Sequence, residues 1–273
     1  MDRTTERAFA KINLTLGVLY KRTDGYHALD SVMQTIDLHD TVTLERASEI
    51  IVTSTGMVLP YDNTVRRAAE RYRALTGRGA RIRVVKRIPS EAGLGGGSAD
   101  AAATLNGLQK LYGEVDDKTL LEIGAAVGAD VPFCLSGGTQ RAEGIGDVLT
   151  PIRGMKLHLL VVKPKEGVST KKLFSLLKLP RTMPDTMTCL RALSEGNLDL
   201  LCPLLFNALE EPAVALVPEI GRIKDALLRE GARAASMTGS GSAVFGVFGT
   251  KEEAEAALPA FAEYAFKRVC DSI

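Results

Sequence analysis

Alternation of apolar and polar side chains marks the first strand of this chain. Over residues 9–16, which read FAKINLTL, Ile12, Leu14 and Leu16 point to one side, and Lys11 and Asn13 point to the other. A period of two is typical of a β-strand. Lys11 and Asn13 therefore share a face, which gains chemical interest if it lines a cleft.

Similar patterns predict mixed strands and helices along the rest of the chain. Further strands are expected over residues 31–36, 40–45, 49–54, 81–88 (stopped by Pro89), 156–162 and 242–248, the last being the final strand. Helices are expected over residues 63–75, 98–112, 117–127, 218–230 and from 251 to about 266, with Asp117 as one cap and Gly77, Gly113 and Gly128 as stops. Because the two kinds of element alternate throughout, the fold class is α+β.

Composition narrows the possible partners. The 273 residues carry a formal net charge of only +1, so no global field attracts nucleic acid or an anionic membrane. No apolar run is long enough to cross a bilayer, and the first residues lack the apolar core of a secretory signal. We therefore expect a cytoplasmic protein that acts on a small molecule, and we predict no particular oligomeric state.

Cysteine and histidine usage gives no sign of a metal or disulfide framework. Cys134, Cys189, Cys202 and Cys270 are scattered and form no CxxC pair, which favours reduced thiols. The three histidines, at positions 27, 39 and 158, are not spaced as zinc ligands. Zinc chemistry is not expected.

Four glycines, Gly93, Gly95, Gly96 and Gly97, lie between a predicted strand and a predicted helix. Ordering so many glycines costs conformational entropy. Glycine is nevertheless favoured where the backbone must approach a ligand closely. Exposed N–H groups and a following helix N-terminus form an anion site. Ser98 stands at a helix-cap position, where its hydroxyl could instead contact phosphate or metal. The pattern predicts a phosphate-binding loop, with a purely structural turn as the alternative.

Two common nucleotide motifs do not fit this loop. A Walker loop requires a lysine that is absent here. A dinucleotide fingerprint starting at Gly93 requires glycine at position 98, which is serine.

Three motifs in order resemble those of the GHMP kinases, a family that includes galactokinase, homoserine kinase, mevalonate kinase and phosphomevalonate kinase. Residues 89–103 (PSEAGLGGGSADAAA) resemble the central motif, residues 9–14 (FAKINL) the N-terminal motif, and residues 237–245 (MTGSGSAVF) the C-terminal motif. Together they extend over nearly the whole chain.

This resemblance implies a GHMP kinase fold with two domains that bind both substrates between them. Residues 1–154 would form an ATP-binding domain like ribosomal protein S5 domain 2, and residues 155–273 a ferredoxin-like domain. The implied cofactors are ATP and Mg²⁺, with magnesium bridging the β- and γ-phosphates and Ser98 as the first candidate for a protein contact. The implied phosphate loop consists of Pro89, Ser90, Glu91, Ala92, Gly93, Leu94, Gly95, Gly96, Gly97, Ser98 and Ala99.

Residues 10–16, 22–40, 128–133 and 142–147 resemble one branch of the family in particular. That branch phosphorylates the 2-hydroxyl of a cytidine diphosphate-linked methylerythritol in the non-mevalonate isoprenoid route. The resemblance implies substrate contacts from Asn13, Tyr26, His27, Thr170, Gly239 and Ser240. A tyrosine ring can stack on cytosine, and an imidazole can hydrogen-bond the edge of the base.

The chain departs from the family pattern at two positions. Ser98 is followed by Ala99 where the family commonly has a second serine, which leaves one hydroxyl at the loop. Phe174 stands where a tyrosine often packs near the cytidine, so a ring remains but the phenolic hydroxyl is missing.

By the same resemblance, Asp130 is the group that receives the proton of the attacking hydroxyl, and Lys11 supplies positive charge near it. From the residues alone Asp130 would be a helix cap, with Pro132 keeping Val131 out of the helix. A cation within about 4–6 Å lowers the pKa of a carboxyl by about 1–3 units, which weakens it as a base. Asp130 is thus either a general base or a group that orients the hydroxyl.

Three readings of the function remain open at this point. Residues 24–27 (DGYH) favour a substrate with a nucleobase over another GHMP kinase substrate such as mevalonate, homoserine or a sugar. The presence of both Lys11 and Asp130 argues against a catalytically silent nucleotide-binding module. The turn at residues 238–242 is expected to close over substrate or phosphates, or else simply to lead into a strand.

Overall fold

Strands and helices mix along the chain, as the α+β pattern predicts. The computed structural model describes residues 1–178 and 183–273. The strands are β1 (Arg3–Lys21), β2 (His27–Ala47), β3 (Ile51–Thr55), β4 (Gly79–Val85), β5 (Thr139–Gly144), β6 (Val148–Pro151), β7 (His158–Lys163), β8 (Phe206–Asn207), β9 (Ala234–Met237), β10 (Val244–Phe248) and β11 (Phe266–Asp271). The α-helices are α1 (Thr64–Thr76), α2 (Gly96–Tyr112), α3 (Asp117–Val127), α4 (Val131–Ser136), α5 (Thr170–Leu176), α6 (Thr186–Glu195), α7 (Leu198–Leu201), α8 (Glu210–Leu216), α9 (Glu219–Arg229) and α10 (Lys251–Ala257).

The larger sheet has seven strands. Its main path runs β3-β4-β2-β1-β8, and β5 and β6 extend it from β2. β2 pairs with β4 and β5 in antiparallel fashion, whereas β3–β4 and β1–β8 are parallel pairs. Two segments predicted as separate strands, 31–36 and 40–45, are parts of the single 21-residue strand β2.

The smaller sheet has four strands in the order β11-β7-β10-β9, and every pair is antiparallel. Numbered along the chain, the strands stand in the order 4-1-3-2. Helix α9 lies between the first and second strands in sequence, and α10 lies between the third and fourth. This is the β-α-β-β-α-β arrangement of a ferredoxin-like domain, as predicted.

The chain divides into two compact units built from non-consecutive segments. Unit 1 comprises Met1–Ala10, Leu38–Ile88 and Gly95–Gly137. Unit 2 comprises Lys11–Asp37, Pro89–Leu94 and Gly138–Ile273. The predicted domain boundary between residues 154 and 155 stays a prediction.

Helices pack into the core of each unit: α2 is buried nearly all round in its middle, whereas α9 buries one apolar face. In unit 1, α2 buries Ala102, Leu105 and Leu108 at the three-residue step predicted from the sequence. In unit 2, Ile220, Ile223 and Leu227 of α9 join a core cluster with residues of β7 and β10. Burial of a leucine or isoleucine side chain contributes about 1.5–3 kcal/mol, which anchors these helices in the core.

Helix ends follow local signals closely. The side chain of Asn63 accepts a hydrogen bond from Arg66 N (3.0 Å) and starts α1, and Gly77 ends the helix in the left-handed region at φ 73°. Asp116, one residue before the predicted cap, starts α3.

None of the helices in residues 1–178 and 183–273 is long and apolar enough to cross a membrane.

Two strand predictions and one helix prediction were wrong in ways that tertiary contacts explain. β4 ends at Val85 and not at Ile88, because the carboxylate of Asp40 takes the N–H groups of Arg87 and Ile88 (2.8 Å to Ile88 N). The helix predicted from 251 to about 266 ends at Ala257, and a short 3₁₀ turn follows. The chain then forms β11, which pairs with β7, so residues 242–248 do not contain the final strand.

All four cysteines are free, in agreement with the expectation of reduced thiols. Burial raises the pKa of the Cys189 and Cys270 thiols to about 12, which keeps both protonated and unreactive.

Candidate functional site

The glycine-rich loop leads directly into the N-terminus of α2. Gly95 is the residue before the helix and adopts the left-handed conformation at φ 70°, with no side chain capping the helix. Ser98, predicted as the cap, lies inside the first turn, so that prediction was wrong. The first N–H groups of an α-helix have no partner inside the helix, and the helix dipole makes this end positive. A row of uncapped amides at the start of a 17-residue helix suits an anion such as a phosphate.

Gly93 has to be glycine because of a contact within the protein, not because of a ligand. A Cβ added there would come 2.0 Å from the carbonyl oxygen of Thr238, and the residue has φ 70°. The amide of Ser242 donates to the carbonyl of Glu91 (3.1 Å), and the Thr238 hydroxyl donates to the carbonyl of Gly93 (3.3 Å). In unit 2 the central glycine motif therefore packs against the C-terminal motif. For Gly93, the close approach that we expected from a ligand is made by the backbone of Thr238.

Gly96 and Gly97 lie against other parts of unit 1. A Cβ at Gly96 would come 2.9 Å from Cγ2 of Ile88, and one at Gly97 would come 3.3 Å from the hydroxyl oxygen of Thr64. That hydroxyl donates to the carbonyl of Gly97 at 2.6 Å. The start of α1 is thus hydrogen-bonded to the start of α2.

A cavity of about 280 Å³ opens at the same end of α1. Its walls include Thr53 and Ser54 of β3, Tyr61, and Asn63 and Arg66 at the start of the helix. The guanidinium of Arg66 lies 4.5 Å from the centre of the Tyr61 ring. The Nε atom of Arg66 is buried and has no hydrogen-bond partner among the described residues. Sequence reasoning did not identify this cavity.

Lys11 is buried on β1, with 4% of its surface exposed, and its ammonium donates to Oδ1 of Asn13 at 2.7 Å. The amide of Asn13 donates in turn to the hydroxyl of Ser31 (2.9 Å), and the backbone N–H of Asn13 donates to the hydroxyl of Thr238 (3.1 Å). The shared face of Lys11 and Asn13 is confirmed. These bonds in unit 2 hold the Lys11 ammonium in a defined place.

Asp130 precedes α4 and is half-buried. Its side chain makes no capping hydrogen bond to the helix, so the simple cap interpretation does not hold. Val131 is nonetheless the first helical residue, contrary to the prediction, because a proline in the first turn of a helix lacks only an N–H that would be unpaired anyway. Lys11 belongs to unit 2 and Asp130 to unit 1, and their cooperation stays a prediction.

Tyr26 and His27 lie at the hairpin between β1 and β2. Arg22 and Asp24 form the hairpin turn, in which Asp24 accepts a hydrogen bond from Tyr26 N (3.0 Å). The Tyr26 ring is 62% exposed. The His27 imidazole stacks on the ring of Phe174, with centroids 4.8 Å apart and planes 30° apart. Phe174 therefore packs its ring on His27, and its packing near the cytidine stays a prediction.

The structure also brings Thr170 and Ser240 together, with their hydroxyl oxygens 2.7 Å apart. Gly239 lies beside Ser240 at φ 54°. Asn207 supports this turn, because its amide donates to the carbonyls of Met237 (2.7 Å) and Gly239 (2.9 Å). Sequence reasoning missed Asn207, which lies about thirty residues before the turn in a segment without a motif signal.

A buried group of charges below the glycine loop was also missed. Lys86 forms ion pairs with both Asp40 and Asp100, and the side chains of all three are at most 6% exposed. Burial raises the pKa of Asp100 to about 7; Lys86 opposes this rise and Asp40 adds to it. Burial lowers the pKa of Lys86, but Asp100 and Asp40 outweigh burial and raise it overall.

Within residues 1–178 and 183–273, no group of three or more His, Cys, Asp or Glu side chains is arranged to hold a metal ion. The half-buried hydroxyl of Ser98, at the first turn of α2, is compatible with one contact to a hydrated Mg²⁺. Because Mg²⁺ in kinases is bound largely through phosphate oxygens and water, this donor set fits a magnesium–nucleotide complex.

Two family models match the chain. The model described as "GHMP kinases N terminal domain" matches residues 63–138, and "GHMP kinases C terminal" matches residues 189–267. This chain belongs to the GHMP kinase family. The first model contains the glycine loop and Asp130, and the second contains the C-terminal motif and Asn207.

Curated relatives of this GHMP kinase cover most of its length. A 4-diphosphocytidyl-2-C-methyl-D-erythritol kinase from Caldicellulosiruptor saccharolyticus is 43% identical over 91% of this chain and 89% of its own. A protein of the same name from Carboxydothermus hydrogenoformans is 46% identical over 86% of this chain and 85% of its own.

Solved structures confirm the GHMP kinase fold. A crystal structure of 4-(cytidine 5'-diphospho)-2C-methyl-D-erythritol kinase superposes with a TM-score of 0.86 at 34% identity, covering 98% of this chain and 99% of that one. A homoserine kinase from Cytophaga hutchinsonii has a TM-score of 0.79 at 22% identity, covering 100% of this chain and 95% of that one. The second likeness shows the fold alone.

Proposed function

We propose that this GHMP kinase transfers the γ-phosphoryl group of ATP to the 2-hydroxyl of 4-diphosphocytidyl-2-C-methyl-D-erythritol, a step of the non-mevalonate isoprenoid route. The observation that supports this substrate is the exposed Tyr26 ring next to the stacked His27–Phe174 pair. An aromatic surface of this kind suits a nucleobase, whereas mevalonate, homoserine or a sugar has no base to stack. The curated relatives named as kinases of this substrate support the same choice.

The phosphates of ATP are proposed to lie on the uncapped amides of Gly96, Gly97 and Ser98. Positive partial charge at the start of α2 favours them there, and the surrounding loop, residues 89–99, shapes the approach. The cavity at the start of α1 is proposed to hold the adenine base. Tyr61 and the half-buried Arg66 side chain offer a flat surface and a polar edge, and the Thr64–Gly97 hydrogen bond links this cavity to the loop.

Asp130 is proposed to act on the attacking hydroxyl, either by accepting its proton or by holding it in line. Phosphoryl transfer depends mainly on positioning and on charge stabilisation, so either role speeds the reaction. Lys11, oriented by Asn13, supplies positive charge to the same reaction. Asn13, Thr170, Gly239 and Ser240 are proposed to contact the alcohol substrate.

Mg²⁺ would be held by the phosphates, with Ser98 as the proposed protein contact. Bound there, it neutralises charge on the β- and γ-phosphates that would otherwise repel the nucleophile. The proposed partners are these small molecules only, with no role for nucleic acid or membrane, and the proposed location is the cytoplasm. The net charge of +1 agrees with that choice of partners.

The test is an assay of ADP release with a panel of alcohols: the cytidine-linked methylerythritol, mevalonate, homoserine and galactose. We expect turnover only with the first. Efficient turnover of any of the others would replace the proposed substrate while leaving the family intact. Absence of ADP release with every alcohol, in a protein that still binds ATP, would favour a silent nucleotide-binding protein.

A further inference from the structure

Three charged side chains lie buried beneath the glycine loop, all within unit 1. Asp40 comes from the middle of β2, Lys86 follows the end of β4, and Asp100 lies on α2. The Lys86 ammonium donates to Asp40 and to Oδ2 of Asp100, the latter at 2.6 Å. We call these three residues the charged bracket.

The charged bracket connects the two ends of the glycine loop. On the near side, Asp40 accepts hydrogen bonds from the amides of Arg87 and Ile88, the last two residues before Pro89. On the far side, Asp100 belongs to the helix that the loop enters. One ammonium group, bonded to both carboxylates, therefore ties the chain before the loop to the helix after it.

Gly96 connects the bracket to the proposed phosphate site. A Cβ at this position would come 2.9 Å from Cγ2 of Ile88 and 3.6 Å from Nζ of Lys86. The first amides of α2 thus lie directly against the segment that Asp40 and Lys86 hold. A shift of that segment would be transmitted to the amides of Gly96 and Gly97 by contact.

Stability alone does not explain such an arrangement. Removing charges from water is costly, and a buried ion pair is often no more stabilising than apolar side chains of similar size. Oδ1 of Asp100 is also buried and has no hydrogen-bond partner among the described residues, which adds to the cost. What the three charges provide, and apolar packing does not, is directional bonding between fixed points of the backbone.

We infer that the charged bracket positions the glycine loop for nucleotide, and that Asp100 is a positioning residue that acts on ATP through Lys86 and the first turn of α2. The inference rests on the proposed function, since it assumes that the loop binds the phosphates of ATP. It assigns no contact with the alcohol substrate to any of the three residues.

The test compares Asp100→Ala with Asp100→Asn and with a control, Leu120→Ala. The first removes the link from Lys86 to α2, and the second retains an oxygen that can accept from Lys86. Leu120 is buried in α3 of the same unit and has no bond to the bracket, so its truncation lowers stability without touching the loop.

For Asp100→Ala we expect the KM for ATP and the Kd for ADP to rise at least about tenfold, while the KM for the alcohol changes less than twofold. Asp100→Asn should recover part of the nucleotide affinity. Leu120→Ala should lower the melting temperature and leave both KM values within twofold. This split between the two substrates is what a merely structural role would not produce.

An Asp100→Ala protein that is folded and has an ATP KM within twofold of the wild type would overturn the inference. If that variant does not fold, Asp100→Asn decides, and unchanged ADP affinity together with unchanged hydrogen exchange over residues 95–99 overturns it. Failure of the proposed function is seen separately: if the loop does not bind nucleotide, the wild-type protein binds no ADP, and if only the alcohol substrate is wrong, the panel of alcohols shows it while nucleotide binding persists.

Discussion

The carbonyl oxygen of Thr238 lies where a side chain at Gly93 would have to be: an added Cβ would approach it to 2.0 Å. The two residues come from the central and C-terminal family motifs, and the hydroxyl of Thr238 also donates to the carbonyl of Gly93. The sequence pattern assigns this glycine to ligand binding, whereas in the structure it allows a contact between two motifs 145 residues apart.

Gly93→Ala should destabilise the protein more than glycine replacement at an ordinary turn. Gly77→Ala is the matched control, because Gly77 has a similar φ of 73° but no atom within 4 Å of an added Cβ. Left-handed backbone costs a non-glycine residue about 1–2 kcal/mol at both positions. Overlap with the Thr238 backbone should add about 1–3 kcal/mol at Gly93 alone. Urea unfolding measures the free energy of unfolding of both variants. Equal losses of stability would contradict a role for the contact with Thr238.

Asp130→Asn should lower turnover by at least about 100-fold, since a group that accepts or directs a proton commonly contributes that much. Binding of ATP should persist, as measured by calorimetry. Asp117→Asn, at an exposed position on α3, is the control and should leave turnover unchanged. Near-normal turnover in the Asp130 variant would remove this residue from the mechanism.

Tyr26→Ala and Tyr61→Ala should have reciprocal effects. Loss of the Tyr26 ring removes the proposed stacking surface for cytosine, so the KM for the cytidine substrate should rise far more than the KM for ATP. Loss of the Tyr61 ring, which packs on Arg66, should raise the KM for ATP and leave the KM for the cytidine substrate unchanged. Steady-state kinetics with each substrate varied in turn measures both. If each variant affects both substrates equally, the base assignments are wrong.

Asp100 should give the protein an unusual dependence of stability on pH. Its pKa is about 7 when folded, raised by burial and by Asp40 and opposed by Lys86, against about 3.9 for an unfolded aspartate. The folded state therefore binds this proton more tightly. The contribution of Asp100 to the free energy of unfolding is fully present below about pH 4 and is lost as the pH rises through about 7.

Urea unfolding of the wild type and of Asp100→Asn between pH 4 and 8 measures this effect. Relative to the variant, the wild type should gain stability as the pH falls. Asp116→Asn is a control of opposite sign, because hydrogen bonds to Thr119 lower the pKa of Asp116 and its stabilisation is lost at low pH. A wild-type advantage that grows with rising pH would contradict the prediction for Asp100.

Much of the local structure could be predicted from the sequence. Asn63, through its side-chain oxygen, and Gly77, through its left-handed backbone, delimit α1 where the sequence predicts. The period of two over residues 9–16 places Lys11 and Asn13 on one face. These features depend on groups a few residues apart, for which backbone geometry and hydrogen-bonding capacity are decisive. The family motifs are local in the same sense, and they were sufficient to predict the GHMP kinase fold.

Other features became visible only in the folded chain. Residues 266–271 form a strand because β7 offers an open edge, although their own pattern did not distinguish them from a helix end. Asp40 and Lys86 are 46 residues apart, and Lys86 and Asp100 are 14 apart, so no spacing rule predicts that they share a buried cluster. Their pairing depends on which strands and helices pack together, and that is decided by the burial of the whole core. Short-range signals in the sequence thus determined the elements and the motifs, whereas long-range packing decided which charges and backbone groups meet.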